Sequence, residues 1–238
     1  MEDYNDIGIS RQLDWNRIRK LLLIGFLAAL MTFVGDMLLG WGVEDEALNG
    51  LERMTSAYTG ASDTGIFAAA LLGLFGITLE GLCYFGIYRL MAEKAASHAH
   101  RYRAGIFGYV IFGACGFHVP VCALAFLAKH LGWSDLVWQY AYFFLLPALV
   151  LFWIFFLVLQ ITQIQAFAKR LTPYPGWCWI FSLPVGMAAA LLCGVFGNQP
   201  WVNAVCCAWI SVGNLWMFGG LLLMSHKIRG RKNKTKAA

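Results

Sequence analysis

The sequence predicts an all-α integral membrane protein, a bundle of six transmembrane helices with both termini in the cytoplasm. One observation is a series of apolar blocks longer than twenty residues, the length that a membrane crossing needs. Another is that 60% of the residues are hydrophobic and only 13% are charged, about half the charge of a soluble domain. The third is an uneven distribution of basic residues. We interpret residues 1–238 as one polytopic membrane domain.

Each predicted span holds about twenty residues or more, enough to cross roughly 30 Å of hydrocarbon. The first apolar block is too long for a signal peptide, so we interpret it as a retained span. Tryptophans stand near the span ends, where interfacial anchors are expected: Trp41, Trp133, Trp138, Trp177 and Trp201. The six predicted spans cover 21–43, 65–91, 104–127, 137–167, 177–196 and 201–226.

The distribution of lysine and arginine sets the predicted orientation. Of 18 such residues, all but Arg53 and Lys129 precede the first span, follow the second or fourth, or fall in the basic tail 227–238. This bias predicts that both termini are cytoplasmic. It also explains the net charge of +5 without a nucleic-acid partner. The acidic outer connection 44–64 is either a solvated loop or a lid over an outward-facing cavity.

Four residues deep inside the predicted spans need an explanation, because ionisable groups at membrane depth are costly and need partners. Asp36, Glu80 and His118 are ionisable, and the amide of Asn214 must be satisfied. Helix rise places all four within about 10 Å of depth, from the membrane middle toward its outer half. Such clustering favours one shared cavity. The alternative is structural hydrogen bonding between helices, at about 0.6–2 kcal/mol per bond.

These residue types suit acid–base chemistry. Burial favours the protonated form of a carboxylic acid, so Asp36 or Glu80 can serve as general acid and His118 as general base. On the sixth span a polar stripe runs through Asn203, Cys207, Ser211 and Asn214 at helical spacing. We therefore predict Asp36, Glu80 and His118 as catalytic. The predicted substrate-binding residues are Asn214, Ser211, Trp209, Trp216, Trp153, Tyr84 and Gln160.

One helix face also carries metal-ligand residue types. Cys115, His118 and Cys122 follow steps of three and four, and thiols with a histidine can bind a soft metal. All seven cysteines lie within the bounds of the predicted spans, however, with Cys178 at the very start of one. Inside a span, cysteine behaves as a small apolar residue. We favour that interpretation and predict neither a metal nor another cofactor.

Two short motifs resemble families that act on lipids. Gly35-Asp36-Met37-Leu38-Leu39 resembles the Gly-Asp-x-x-Leu motif of the lysoplasmalogenases, whose intramembrane aspartates are implicated in vinyl-ether hydrolysis. That family has more spans and a histidine soon after the motif. Asn214-Leu215-Trp216, with a buried acid and histidine, is similar in type to sterol-isomerase-like (EXPERA) bundles, where the spacing is longer by one residue. The resemblances imply that small helical bundles of this kind can host lipid chemistry.

The function that these observations favour is an intramembrane enzyme, a hydrolase or isomerase, acting on an apolar lipid-like substrate by acid–base chemistry. A transporter or binding protein for a small hydrophobic or cationic molecule is one alternative. An accessory membrane subunit with a structural polar layer is another. Membrane lipid and a small hydrophobic ligand are the expected partners, and the oligomeric state is left open. The sequence holds no nucleotide-binding loop, HExxH or GxSxG motif.

Overall fold

The computed structural model describes residues 13–92 and 94–236, with side chains described as far as His226 and at Ile228, and these residues form helices without a strand. Four helices are long and apolar enough to cross a membrane, and a bent pair makes a fifth candidate. The all-helical prediction is confirmed, and the apolar helices indicate a membrane protein. The helices are α1 Trp15–Gly40, α2 Gly50–Thr59, α3 Asp63–Ala92, α4 Ala96–Leu131, α5 Asp135–Ala168, α6 Leu183–Phe196, α7 Pro200–Cys207 and α8 Trp209–Lys236.

Helix α1 is the centre of the bundle and contacts α3, α7 and α8. It begins where Asp14 accepts a hydrogen bond from the backbone N–H of Arg17 at 3.1 Å, a typical N-cap. Small residues let its neighbours approach closely. A Cβ on Gly35 would lie 3.0 Å from Leu72 of α3, and one on Gly40 would lie 2.6 Å from Cys207 of α7. Arg11, which contributes to the predicted orientation, lies outside the described residues.

Helices α4 and α5 each contain a π-helical stretch before a proline. Residues Tyr109–His118 precede Pro120, and Ala141–Leu145 precede Pro147. Proline has no N–H to donate to the carbonyl four residues back, and its ring crowds that carbonyl. In the wider π-helical turn the hydrogen bonds join residues five apart, so the helix continues without that bond. The wider turn also separates the predicted Cys115–His118–Cys122 face. Cys115 is exposed whereas His118 and Cys122 are buried.

The last two predicted spans are not continuous helices. The segment predicted as 177–196 is a 3₁₀ helix, Gly176–Ile180, followed by a bend and α6. The segment predicted as 201–226 breaks at Ala208, where α7 and α8 meet at 64°. By helix length alone the described residues thus provide four crossings, or five if the bent pair is one span.

The acidic connection predicted as a loop contains α2. This short helix buries Thr55, Ala57 and Tyr58 against the ends of α1 and α4. Side-chain bonds hold the segment before it, because Asn198 accepts from the Glu44 N–H at 2.9 Å and donates to the Glu44 carbonyl at 2.8 Å. We call this end of the bundle, which holds α2 and the C-terminus of α1, the α2 end.

Candidate functional site

A cavity of about 350 Å³ lies inside the bundle beneath α2. Helix α2 covers it with Met54, Ala57 and Tyr58. Most of the wall is apolar, including Leu39, Ile77, Gly113, Phe117, Val121, Phe152, Leu191 and Ile210. The polar or thiol-bearing lining residues are Thr32, Asp36, Glu44, Tyr58, Tyr109, His118, Asn203, Cys206, Cys207 and Ser211.

Three residues from three helices meet in this wall, and we call them the Asp36 cluster. Ser211 of α8 donates its hydroxyl hydrogen to Asp36 Oδ2 of α1 at 2.5 Å. His118 of α4 places Nδ1 3.5 Å from Asp36 Oδ1. All three are buried. Two of the residues predicted as catalytic, Asp36 and His118, therefore lie together at the cavity.

The histidine ring is oriented by its other nitrogen. His118 Nε2 lies 3.0 Å from the carbonyl oxygen of Ala69, and a carbonyl only accepts, so Nε2 carries the hydrogen. Nδ1 is left to share a proton with Asp36, as donor to the carboxylate or as acceptor from the carboxylic acid. The ring fits because residue 73 is glycine; a Cβ there would overlap the imidazole. Nδ1 is thus the ring nitrogen that faces the Asp36 carboxyl group.

A second group of buried residues is centred on Glu80. It consists of Glu80, Thr32, Tyr109, Asn214 and Tyr84, and we call it the Glu80 cluster. Glu80 Oε1 accepts from Thr32 at 2.8 Å, and Oε2 accepts from Tyr109 at 2.9 Å and from Asn214 Nδ2 at 2.7 Å. Tyr84 donates to Asn214 Oδ1 at 2.5 Å. The cluster joins α1, α3, α4 and α8.

The donors and acceptors around Glu80 are compatible with a protonated, uncharged carboxylic acid. The three donors to its carboxyl are all uncharged. Thr32 also lies 3.2 Å from the Ala28 carbonyl, so its hydrogen can go there. With that hydrogen on Ala28, the bond between Thr32 and Glu80 can run in the opposite direction, from a protonated Oε1 to the Thr32 oxygen, while Oε2 accepts from Tyr109 and Asn214. Every polar group is satisfied in this arrangement.

Residues 4–228 match a family of unknown function (DUF6796). The chain belongs to this family. The match includes every residue of the Asp36 and Glu80 clusters. Comparisons with curated proteins and with solved structures find no match to this chain.

The predicted polar layer of this DUF6796 protein divides into two groups. Asp36 and His118 reach the cavity, whereas Glu80 and Asn214 lie behind it and bond each other. Thr32 and Tyr109 belong to the Glu80 cluster and also line the cavity, so they connect the groups. Tyr109 is a site residue that the sequence analysis missed. Its direction depends on the π-helical stretch that begins at this residue.

The residues predicted to bind substrate divide in the same way. Ser211 and Trp209 line the cavity. Trp153 stands behind Trp209, with ring centroids 5.7 Å apart. Trp216 is 43% exposed and donates to the Ile180 carbonyl at 2.7 Å. The remaining three lie outside the cavity lining: Asn214, Tyr84 and Gln160, the last near the Tyr84 hydroxyl.

Metal-ligand side chains do not group in the part of the chain that the structure describes. Within it, no three His, Cys, Asp or Glu residues are placed to hold one ion. Cys122 Sγ lies 3.9 Å from His118 Nε2, but that nitrogen already meets the Ala69 carbonyl.

Proposed function

We propose that this DUF6796 protein is an intramembrane enzyme that performs acid–base chemistry on an apolar, lipid-like substrate in the cavity beneath α2. The observation that carries the proposal is the buried Asp36–His118 pair in an otherwise largely apolar wall. Ligand sites are typically apolar cavities of about 300–1,000 Å³ with a few convergent polar groups. Ionisable residues at membrane depth are by default candidates for function.

In the proposed mechanism Asp36 exchanges a proton with the substrate. His118 places Nδ1 3.5 Å from Oδ1 and can pass a proton to this carboxyl group or take one from it. The net charge of the pair changes by one unit in the transfer, and the substrate carries the opposite change. Ser211 holds Oδ2 and fixes the carboxyl orientation. The Ser211 hydroxyl points to Asp36 rather than to His118, so it lacks the base that activates a nucleophilic serine. The arrangement favours proton transfer over an acyl-serine intermediate.

Glu80 has a positioning role in this proposal. With Asn214 it fixes the hydroxyl of Tyr109, a residue that also lines the cavity. The Tyr109 side chain is therefore held in a fixed position in the cavity wall. Substrate carbons would rest against Ile77, Phe117 and Phe152.

We further propose six crossings with both termini in the cytoplasm, which places the α2 end outside. Helix α6 holds ten α-helical residues and four 3₁₀ residues, a rise of about 23 Å. The preceding 3₁₀ helix of five residues adds about 10 Å. Together the two pieces are long enough for about 30 Å of hydrocarbon.

The proposal is tested by comparing lipids from membranes that contain the wild type or Asp36→Asn. Mass spectrometry should find a lipid species that the wild type depletes and the variant does not, with a rate difference of about 10²–10⁴-fold, the usual contribution of a general acid or base. Asp135→Asn, which removes an exposed carboxylate at the start of α5, is the matched control. Identical lipid profiles, including separated isomers, in all three membranes would overturn the proposal.

A second candidate function is a carrier, and the break between α7 and α8 favours it. Helices interrupted at membrane depth are typical of transporter binding sites. Cys207 and Ser211, on either side of the 64° bend at Ala208, both line the cavity. A proton-coupled carrier should show solute accumulation in liposomes driven by a pH gradient and lost in Asp36→Asn. No response to the gradient would exclude it.

A further inference from the structure

We propose that the cavity selects a single-chain amphiphile with a cationic head group, an amine or a quaternary ammonium. The head group would lie near Asp36 and Glu44, and the chain would lie against the apolar inner wall. This names a substrate class for the proposed enzyme and rests on that proposal.

The charge of the cavity wall is the first argument. Asp36 and Glu44 line it, and none of the described lining residues is lysine or arginine. An anionic head group would meet the carboxyl groups of Asp36 and Glu44, and the described lining offers no lysine or arginine to pair with it. A buried unpaired charge is strongly unfavourable.

Glu44 is held at the rim of the cavity. Asn198 bonds both its backbone N–H and its carbonyl. Arg53 pairs with Oε2 at 2.9 Å, and Arg53 is outside the lining set. Both groups of this ion pair are partly exposed, which weakens it. A ligand cation can therefore bind the Glu44 carboxylate from the cavity side.

Aromatic side chains and nearby acids favour a cation further. Tyr58 and Trp209 line the cavity, and aromatic faces attract ammonium groups, most strongly when water is excluded. Asp45 and Glu46 follow Glu44 directly in the chain, and Glu52 follows in α2. Acidic residues near a cleft raise the local concentration of cationic ligands. The inner wall, with Ile77, Phe117 and Phe152, provides apolar surface for one chain.

The test uses three amphiphiles with the same decyl chain: decyltrimethylammonium, decyl sulfate and decanol. Each is titrated calorimetrically into the protein in phosphatidylcholine nanodiscs, and the heat from empty nanodiscs is subtracted. We expect the ammonium compound to bind at least about tenfold more tightly than the sulfate or the alcohol, an effect of one desolvated cation–π contact or carboxylate pair.

Variants on α2 and before it separate the cavity from the general surface charge. Glu44→Gln should remove most of the preference for the cation, whereas Arg53→Gln, which frees the same carboxylate, should strengthen it. Glu52→Gln removes an equal charge from a neighbouring position outside the cavity and should leave the preference intact. Equal binding of the three amphiphiles overturns the inference, as does an equal loss in Glu52→Gln and Glu44→Gln.

The experiments can reject the proposed enzyme and the proposed cationic substrate class independently of each other. A preference for the cation without any difference in lipid turnover between wild type and Asp36→Asn retains the binding site and rejects the enzyme. Turnover that depends on Asp36, combined with no preference among the head groups, retains the enzyme and rejects the cationic substrate class.

Discussion

The position of His118 depends on a side chain that is absent. Gly73 of α3 faces the imidazole, and a Cβ at that position would occupy the same space as the ring. Thr32 is in a similar position, since it fills the space beside Gly76 and from there reaches Glu80. Small residues in α3 thus let polar side chains from α1 and α4 meet inside the bundle. These glycines therefore leave space for polar side chains, in addition to letting the helices pack closely.

Gly73→Ala should therefore displace His118 and separate it from Asp36. We expect lipid turnover to fall at least about tenfold and the protein to lose about 1–3 kcal/mol of stability, as overpacked interiors do. Turnover and thermal unfolding measure the two effects. Gly65→Ala is the control, because its Cβ would meet only the end of the Ser62 side chain, at 3.0 Å. Normal turnover in Gly73→Ala would contradict the assigned role of the ring.

Replacing Glu80 distinguishes a neutral acid from a carboxylate. Glutamine keeps an acceptor for Tyr109 and Asn214 and a donor for Thr32. The free energy of unfolding of Glu80→Gln should therefore lie within about 1 kcal/mol of the wild-type value. Glu80→Leu removes three hydrogen bonds and leaves the buried Tyr109 hydroxyl hydrogen without its acceptor, so it should cost about 3 kcal/mol or more. Chemical unfolding in mild detergent measures both. If Gln destabilises as much as Leu, the folded protein holds Glu80 ionised.

The sequence predicted which polar residues are buried better than it predicted which of them bond each other. Helix rise alone places Asp36, Glu80, His118 and Asn214 at similar depth, and all four are buried. Thr32 lies one turn before Asp36 on α1, yet its hydroxyl bonds Glu80 of α3 rather than Asp36. Partners on other helices depend on helix rotation, which one sequence does not specify.

Among the elements, the interrupted helices differ most from expectation. A regular period of 3.6 residues predicts a straight polar stripe from Asn203 to Asn214, but the bend at Ala208 divides it. Asn203, Cys207 and Ser211 still reach the cavity, and Asn214 does not. A proline follows each π-helical stretch closely in the sequence and so indicates an irregular helix there. The residues around Ala208 include no proline or glycine that would predict the break.

The segment before α2 depends on Asn198 for its attachment to the rest of the bundle. Asn198→Ala removes the bonds to the Glu44 N–H and carbonyl. Residues 44–58 should then exchange amide hydrogens about fivefold to tenfold faster, equivalent to about 1–1.4 kcal/mol of lost protection. Asn49→Ala, at the α2 N-cap where no side-chain bond forms, is the control. Unchanged exchange in Asn198→Ala would mean that burial of Tyr58 alone holds the segment.

For the whole molecule, the number of crossings decides on which side of the membrane the C-terminus lies. Six crossings return the chain to the side on which it began, and five do not. The described apolar helices give four or five by length, so the sixth crossing depends on the 3₁₀ helix and α6 acting as one span.

Reporter fusions after residue 226 and within 45–48 measure this directly. We expect a cytoplasmic reporter to be active at the C-terminal position and a periplasmic or luminal reporter at 45–48, because basic residues stay cytoplasmic. A fusion after residue 172 is the internal standard for the cytoplasmic side. A C-terminal fusion on the opposite side from residue 172 would show that 176–196 does not cross.

The hydrogen bonds of Asn198 to the chain before α2 also bear on kinetics. We predict that ligands enter the cavity past α2, and that α2 moves aside only after these bonds break. The observed rate of association should therefore rise with ligand concentration and then level off at the rate of lid opening, since a closed protein cannot bind faster than it opens. Two ligands with very different affinities would share that plateau and differ in their residence times.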